Sequence, residues 1–344
     1  HYGTCGGCKW QHIEYASQSA LKEQWAEDCL QRIGKIEVGE KLPILGANSQ
    51  QFYRNKMEYT FSNKRWLYED ETLAELEHTN ALGFHAPGRF DKVLAINKCW
   101  LQDDLGNDIR NFVYEFCIEN DFTFYDLREH TGLMRNLMLR NTRKGDWMIN
   151  VIFAKDEPKN RTLLLDAIQQ KFNPRALNYC INEKLNDSTF DQTFISYKGN
   201  FEIQEELNGL KFNISPKSFF QTNPAQAEKL YQVALDFAGV TNNDVVYDLY
   251  CGTGTITCLA ASRAKKAIGV EIIVEAIEAA KVNASINNLN NVEFLVGDMK
   301  DVFNPEFYGK HGNPDIIITD PPRSGMHPKV VEYLGEIKCP KIVY

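Results

Sequence analysis

The residues best suited to binding chemistry follow an apolar run, Val246–Leu249, that leads into a glycine-rich turn, Cys251–Thr255. Gly252 and Gly254 let the backbone pass close to a ligand without a side-chain clash. A helix that opens after such a turn offers its free N–H groups to that ligand. The pattern therefore predicts a ligand-binding turn between a strand and a helix.

Two acidic positions follow that turn. Glu271 ends the next apolar run, Ala267–Val270, and a carboxylate there can accept two hydrogen bonds from a ribose diol. A D-P-P-R motif, Asp320–Arg323, follows a third apolar run, Ile316–Thr319. An NAD-type site is the alternative, but its G-x-G-x-x-G pattern needs a glycine where this chain has Thr257. Together the motifs resemble the class I S-adenosylmethionine (SAM)-dependent methyltransferases.

A second chemical motif opens the chain as Cys5-Gly6-Gly7-Cys8. Three interpretations compete: a redox dithiol, half of a zinc site and part of an iron–sulfur cluster. No strand precedes Cys5, as a thioredoxin-like site needs, and no second C-x-x-C supplies a zinc site. Cys99 is a candidate third ligand, and a buried small hydrophobe is the alternative for it.

The remaining cysteines are not expected to do chemistry. Cys251 lies in the ligand-binding turn with no base near it in sequence. Cys339 precedes the expected strand Lys341–Tyr344, whereas active-site groups gather at the carboxyl ends of parallel strands. Four others fall on apolar faces and are expected in the core: Cys29, Cys117, Cys180 and Cys258.

Length, charge and cysteine content limit the number of domains, the kinds of partner and the compartment that can be expected. The chain has 344 residues, enough for two domains, and a net charge of −8. That charge counts against a large non-specific nucleic-acid surface, but not against a local basic face. No apolar run approaches the length of a membrane span, and nine cysteines without a secretory signal indicate a reducing compartment. We therefore expect a cytoplasmic protein with no membrane contact.

Residues 128–144 are a candidate for such a local basic face, with five basic residues against Glu129. We predict that they include contacts to RNA phosphates, with an ordinary solvated surface as the alternative. The five are Arg128, Arg135, Arg140, Arg143 and Lys144.

Periodicity indicates the elements that position these motifs. Helices are predicted at Tyr15–Ile33, Asn107–Glu119, Asn160–Lys171 and Pro224–Phe237. Strands are predicted at Met57–Phe61, Ala81–His85, Lys92–Ile96, Trp147–Phe153, Phe190–Phe194, Phe201–Leu207 and Leu210–Ile214. The alternation of strands and helices after residue 215 indicates a parallel, doubly wound sheet.

We therefore expect an α/β chain of two domains. Residues 1–214 form a central α+β domain with an antiparallel sheet and the cysteine loop, and residues 215–344 form the class I methyltransferase domain. The amphipathic helix 15–33 is a candidate to pack on the second domain.

All these motifs together resemble the RNA uracil-5-methyltransferases, over nearly the whole chain. The opening C-G-G-C-K-W-Q-H of residues 5–12 is similar to the C-G-G-C-x-x-Q-H of members that act on 23S ribosomal RNA and hold a [4Fe–4S] cluster. The resemblance implies Cys5, Cys8 and Cys99 as three cluster ligands, with the fourth cysteine expected upstream of His1. Because the transfer-RNA branch of the family generally lacks the cluster, the resemblance implies 23S ribosomal RNA as the partner. It requires no protein partner.

The same resemblance implies SAM as cofactor and assigns its contacts. Glu271 matches the ribose-binding acid, Asp298 the residue near the adenine, and Asp320 an acid where SAM meets the target base. The full set of implied contacts is Gln221, Tyr250, Thr255, Glu271, Asp298 and Asp320.

The family's chemistry needs a cysteine that adds to uracil C6 and a carboxylate that removes the C5 proton. The resemblance places the nucleophile in an S-C-N-P loop after the strand that follows D-P-P-R. We therefore expect the nucleophile just after Tyr344, with no catalytic residue within residues 1–344 and the domain continuing beyond them.

Three alternatives remain open. A transfer-RNA uracil-5-methyltransferase differs only in its substrate. A methyltransferase for an amino group of a base usually carries an aromatic residue where this chain has Arg323. A non-catalytic module that binds SAM or RNA is the alternative outside the enzymes.

Overall fold

The computed structural model describes residues 1–69 and 71–344. They fall into two compact units. The first unit comprises His1–Leu139, Ile149–Asn173 and Tyr179–Tyr197. The second unit comprises Arg140–Met148, Pro174–Asn178 and Lys198–Tyr344.

Helices and strands alternate irregularly in the first part of the chain. The helices are α1 (Tyr15–Asp28), which continues into a π-helical turn (Cys29–Ile33), α2 (Asp104–Glu119) and α3 (Pro158–Phe172), with a 3₁₀ turn at Leu73–Glu75. The strands are β1 (Lys56–Ser62), β2 (Ala81–His85), β3 (Val93–Ala95), β4 (Met134–Asn141), β5 (Trp147–Phe153), β6 (Ala176–Ile181) and β7 (Phe194–Gly199).

These strands form one seven-stranded sheet in the order β3-β2-β1-β4-β5-β6-β7, with β1/β2 and β2/β3 antiparallel. The predicted strands at residues 81–85 and 147–153 have the observed bounds. The strand predicted at Phe190–Phe194 is wrong, because extended pairing begins only at Phe194 and continues to Gly199. The sequence of β7 does not alternate between apolar and polar residues, because most of this strand is exposed.

The longest segment of the second unit, Lys198–Tyr344, begins with a two-stranded hairpin, β8 (Ile203–Leu207) and β9 (Leu210–Ile214). Its helices are α4 (Pro224–Ala238), α5 (Thr255–Ala261), α6 (Val274–Ile286), α7 (Met299–Val302), α8 (Pro305–His311) and α9 (Pro328–Glu336). Its other strands are β10 (Val245–Leu249), β11 (Lys266–Glu271), β12 (Val292–Val296), β13 (Ile316–Thr319) and β14 (Lys341–Val343).

The five later strands form a parallel sheet in the order β12-β11-β10-β13-β14. This confirms the predicted doubly wound α/β fold. The chain adds strands first on one side of β10 and then on the other, so the topological switch point lies between β10 and β13. Ligands of open α/β sheets bind at the carboxyl ends of the strands beside that point. Here those ends are Leu249 and Thr319.

The hairpin β8–β9 belongs to the second unit, whereas the sequence placed the domain boundary at residue 215. Its inward side chains Ile203 and Phe212 are buried in one hydrophobic cluster with Leu235 of α4 and Leu259 of α5. Burial of this apolar surface holds the hairpin to the parallel sheet's helices.

The first helix differs from a core helix. None of the 14 residues of α1 is buried, and its apolar side chain Trp25 is 66% exposed. The predicted apolar face is therefore uncovered, and packing of this helix on another domain stays a prediction. The described helices are all too short or too polar to cross a lipid bilayer.

The basic stretch 128–144 is not a free cationic surface, and the prediction of phosphate contacts is wrong for its two central arginines. Arg135 and Arg140 lie in β4 and are buried. The Arg135 guanidinium donates to the carbonyl oxygens of Asn182 (2.6 Å), Lys184 (2.5 Å) and Asn186 (2.7 Å). These bonds fix a loop of the same unit.

The other three basic side chains form ion pairs within the protein. The distances are 2.8 Å from Arg128 to Asp91, 2.7 Å from Arg143 to Glu228 and 2.7 Å from Lys144 to Glu206. Each positive charge of the stretch is therefore neutralised locally or turned inward.

This arrangement predicts that Arg135→Met lowers the free energy of unfolding by about 2–4 kcal/mol, because carbonyl groups lose charged donors. Urea denaturation measures the change. The matched control is Lys144→Met, which removes the solvent-screened ion pair between Lys144 and Glu206. Its loss should lower the free energy of unfolding by less than about 1 kcal/mol. Equal stability of Arg135→Met and the parent would contradict the structural role of Arg135.

Candidate ligand-binding site

The glycine-rich turn lies where the sequence predicts it, between the end of β10 and the start of α5. Three of its residues have left-handed backbone angles: Tyr250 (φ 67°), Gly252 (φ 54°) and Gly254 (φ 77°). Tyr250 is not a glycine, and such a conformation costs on the order of 1–3 kcal/mol. Backbone strain of this kind is typical of functional turns, and it was not predicted from the sequence.

The two glycines of the turn have different surroundings. A Cβ added to Gly254 would lie 2.8 Å from the Cβ of Ala280 and 2.9 Å from the ring of Phe294. A Cβ added to Gly252 would meet no atom within 4 Å. Gly254 is therefore needed for packing, and Gly252 faces open space in which a ligand can lie.

Glu271, at the carboxyl end of β11, holds this turn in place. One carboxylate oxygen accepts from the N–H of Gly252 at 3.1 Å. The other accepts from the N–H groups of Ile272 (2.9 Å) and Ile273 (3.1 Å). A carboxylate offers about four lone-pair positions, so capacity remains on the oxygen that faces Gly252.

Asp248 is a buried carboxyl group directly beneath the turn, and the sequence analysis did not single it out. Thr257 donates to one of its oxygens at 2.6 Å, and the other oxygen has no hydrogen-bond partner. Burial raises the pKa of Asp248 to about 7, and the nearby charge of Asp320 raises it as well. The hydrogen bonds from Thr257 lower this pKa but do not offset the effect of burial. The signal was present in the V-Y-D-L strand, where an acid occupies a core position.

Gln221 and Asp320 reach the same place from different segments. The Thr253 hydroxyl donates to the carbonyl of Phe219 at 3.4 Å, which ties the Gln221 segment to the turn. Gln221 forms a hydrogen bond with the hydroxyl of Tyr231, a buried residue of α4. Burial raises the pKa of Tyr231, and the nearby charges of Asp320 and Asp248 raise it further.

Tyr231 is thus a site residue that sequence reasoning missed. Its helical spacing with the buried Ala227 and Leu235 is typical of an ordinary core position. Only the tertiary fold brings its hydroxyl to Gln221 and its ring close to two carboxyl groups.

Tyr250 lies in the turn, and Asp298 is close enough for its charge to act on the Tyr250 hydroxyl. Burial raises the pKa of Tyr250, and the charge of Asp298 adds to this. Asp298 also caps α7 and accepts from the ammonium of Lys300 at 2.5 Å, which lowers its pKa. Thr255 begins α5 and is 8% exposed. The residues implied for SAM contact therefore gather around one turn.

Two cysteines of this unit lack the setting of a nucleophile. Cys339 precedes β14, which runs parallel to β13, so it lies at the amino edge, near Asp315 and away from Asp320. Cys251 is buried, and burial raises its pKa far above the usual range. Neither thiol is activated.

The cysteine motif lies in the first unit. The Gly7 N–H donates to Sγ of Cys5 at 3.4 Å. Burial raises the pKa of Cys8, and the thiols of Cys99 and Cys5 raise it further, so the three lie near one another. Within residues 1–69 and 71–344, no three His, Cys, Asp or Glu side chains are arranged to hold a metal ion. The predicted metal centre is therefore not confirmed.

The geometry of the turn predicts different outcomes for two glycine variants. Gly254→Ala should lower the free energy of unfolding by roughly 2–5 kcal/mol, because backbone strain adds to overpacking against α6 and β12. Gly252→Ala, the control, should cost only about 1 kcal/mol, since its Cβ meets open space. Chemical denaturation of both variants checks this, and similar losses would contradict the assigned packing role of Gly254.

Known proteins resemble this chain in sequence. A family model described as "Methyltransferase domain" matches residues 241–337. An uncharacterized RNA methyltransferase of Bacteroides thetaiotaomicron is 49% identical over 350 residues, which cover 100% of this chain and 77% of the relative. A second, from Porphyromonas gingivalis, is 47% identical and covers 100% of this chain and 76% of the relative.

A solved structure has a similar fold. The Pyrococcus abyssi tRNA (uracil-54, C5)-methyltransferase, crystallised in complex with S-adenosyl-L-homocysteine, has a TM-score of 0.74 and 25% sequence identity. The match covers 98% of this chain and 75% of that chain. This similarity confirms the predicted class I methyltransferase fold. The family follows from the two relatives, whose matches cover the whole of this chain. The chain belongs to the RNA methyltransferases.

Proposed function

We propose that this RNA methyltransferase transfers a methyl group from SAM to C5 of a uridine, and that its substrate is 23S ribosomal RNA. The observation that carries the proposal is the geometry at the topological switch point. There Glu271 is fixed by the N–H of Gly252, and Asp320 follows the neighbouring strand β13.

SAM fits this site through groups that the chain presents in order. Glu271 would hold the ribose diol through its free lone-pair positions, and Gly252, whose added Cβ would meet no atom within 4 Å, would leave room for the nucleoside. Asp298 would contact the adenine, and Gln221 and Asp320 would contact the methionyl end. When bound, SAM supplies an electrophilic methyl group.

Several observations support uracil C5 as the acceptor. The Pyrococcus abyssi protein, with which 98% of this chain aligns, is named for methylation of that atom. Asp320 follows β13 at the carboxyl edge of the sheet, where it would lie between the methyl donor and an RNA base. The adjoining Arg323 is exposed, so it offers a cation rather than an aromatic ring to the RNA.

Carbon C5 of uracil is too weak a nucleophile to take a methyl group directly, so the reaction needs covalent activation. A cysteine thiolate forms a bond to C6, and the electron pair moves to give an enolate. C5 then attacks the methyl carbon, and S-adenosylhomocysteine leaves. A carboxylate removes the C5 proton, and the C6–S bond breaks to release the thiolate. Asp320 orients the base throughout.

Two RNA classes are candidate substrates, each with its own support. The similarity of residues 5–12 to C-G-G-C-x-x-Q-H favours 23S ribosomal RNA. The Pyrococcus abyssi protein is named as a transfer-RNA methyltransferase, which makes transfer RNA the second candidate.

The direct test is methyl transfer from labelled SAM to unmodified 23S ribosomal RNA and to transfer RNA, using the complete protein. We expect label in 5-methyluridine of ribosomal RNA. Label mainly in transfer RNA would change the substrate and leave the chemistry intact, and label on a base nitrogen would overturn the uracil assignment.

The same assay includes Cys339→Ala, which should keep full activity, because Cys339 lies at the amino edge of the sheet. Complete loss of activity in a folded Cys339→Ala protein would contradict the placement of the nucleophile elsewhere.

Calorimetry with S-adenosylhomocysteine tests the role of Glu271. Glu271→Gln should weaken binding about 10- to 100-fold, the loss of about 1.5–3 kcal/mol for hydrogen bonds to a charged group. Glu275→Gln, in the first turn of α6, is the matched control. Equal affinities of Glu271→Gln and the parent would remove Glu271 from the ribose site.

A further part of the proposal concerns the first unit. Cys5, Cys8 and Cys99 supply three thiolate ligands of a [4Fe–4S] cluster, which has a structural role. The proposal rests on the similarity of residues 5–12 to C-G-G-C-x-x-Q-H. In the part of the chain that the structure describes, the three side chains are not arranged to hold a metal ion.

A further inference from the structure

We propose that Asp248 is a specificity-determining residue of the methyl-donor site: its carboxyl group gives up a proton when the positively charged SAM binds, and keeps that proton when the neutral product S-adenosylhomocysteine binds. The inference rests on the SAM site proposed above. It concerns a residue for which neither the family resemblance nor the relatives give a role, and it makes the site select its substrate over its product by charge.

Three carboxyl groups lie at one edge of the parallel sheet, on three neighbouring strands. Asp248 of β10 is in register with Gly269 of β11 and Ile318 of β13. Glu271 ends β11 and Asp320 directly follows β13, so each lies two residues beyond those partners. The charges of both act on Asp248. Asp248, Glu271 and Asp320 therefore form one acidic cluster at the carboxyl edge.

Asp248 is the member of this acidic cluster that is closed off from solvent. It is 1% exposed, and Thr257 of α5 donates to one carboxylate oxygen at 2.6 Å. The other oxygen has no hydrogen-bond partner. A buried carboxylate with an unpaired oxygen is costly, and two further negative charges raise that cost. These surroundings therefore favour the protonated, uncharged form of Asp248.

The other ionisable groups that face Asp248 are uncharged at neutral pH. Burial raises the pKa of Tyr231 in α4, of Cys251 in the turn and of Cys258 in α5, and the charge of Asp248 raises each of them further. The charges that act most strongly on Asp248 are those of the other two members of the acidic cluster, and both are negative.

Asp298, an acid of the same unit, has the opposite surroundings. It caps α7 and accepts from the Lys300 ammonium at 2.5 Å, and this ion pair lowers its pKa. Burial instead raises the pKa of Asp248 to about 7. A cation bound at the acidic cluster would act on Asp248 as Lys300 acts on Asp298, and it would lower the pKa of Asp248.

SAM and its product differ in charge although their shapes are alike. The sulfonium and ammonium groups of SAM outweigh its carboxylate, whereas loss of the methyl group leaves a product that is neutral overall. A positive ligand at the acidic cluster favours the ionised carboxylate, so the O–H bond of Asp248 breaks and the proton passes to the buffer. The carboxylate then attracts SAM. The neutral product gives no such stabilisation, and Asp248 stays protonated.

Calorimetry of the complete protein, in buffers of different ionisation enthalpy, counts the protons released when each ligand binds. A carboxyl group with a pKa of about 7 is half-protonated at neutral pH, so SAM should release up to about 0.5 proton from Asp248. S-adenosylhomocysteine should release almost none. Between about pH 7.5 and about pH 6, protonation of Asp248 removes the attraction, so SAM should bind roughly three- to eightfold more weakly.

Asp248→Asn keeps the size of the side chain and an oxygen that accepts from Thr257, but it removes the titrating group. It should lose this proton release and pH dependence, and its preference for SAM over the product should fall roughly threefold or more. The ammonium group of SAM titrates equally with parent and variant, so the difference between them isolates Asp248. Asp244→Asn is the matched control, because Asp244 directly precedes β10 at the opposite edge and accepts from Thr241 at 2.7 Å. It should behave like the parent.

Thr257→Val tests the same point with the carboxyl group in place. It removes the hydroxyl donor that stabilises the charged form, so the midpoint of the pH dependence of SAM binding should move to higher pH. If Asp248→Asn fails to fold, a raised midpoint in Thr257→Val supports the role of Asp248, and an unchanged midpoint overturns it.

Two failures are distinguishable. A parent protein that binds neither ligand would overturn the SAM site itself. A parent that binds SAM with the same proton release and pH dependence as folded Asp248→Asn would overturn only the role of Asp248.

Discussion

The hydrogen bond from Gly252 to Glu271 is the interaction on which the binding site depends. It joins the turn after β10 to the end of β11, two segments 19 positions apart in the chain. The same carboxylate also receives the N–H groups that follow β11. One side chain therefore sets the shape of the turn, and the proposed function assigns the same carboxylate to the ribose.

Other contacts of the turn serve the same geometry. The Asn283 amide donates to the carbonyl of Thr253 at 3.1 Å, and its oxygen accepts from Asn213 of the hairpin at 2.9 Å. The turn is thus fixed from α6 and from β9, while Gly252 stays uncovered. Such rigidity allows the strained backbone of Tyr250 to persist without collapse.

The elements of the candidate site that depend on local order were predictable from the sequence. A strand, two glycines and a helix follow one another directly, Glu271 ends β11, and Asp320 directly follows β13. The missed residues depend on tertiary packing. Asp248 and Tyr231 occupy positions with ordinary core periodicity, and only the folded chain brings a carboxyl and a hydroxyl into the site.

The basic stretch failed as a prediction for the same reason. Charge counted along the chain does not distinguish Arg135, which is buried under a loop, from Lys144, which faces solvent in an ion pair. Local motifs were thus predictable, and the pairing of charges was not.

A crystal structure of the protein with S-adenosylhomocysteine would test whether Glu271 holds the ribose. We expect both ribose hydroxyl groups within about 3 Å of the Glu271 carboxylate, with the nucleoside against Gly252. A ligand bound elsewhere, or a ribose held by other groups while Glu271 stays on the backbone alone, would contradict it.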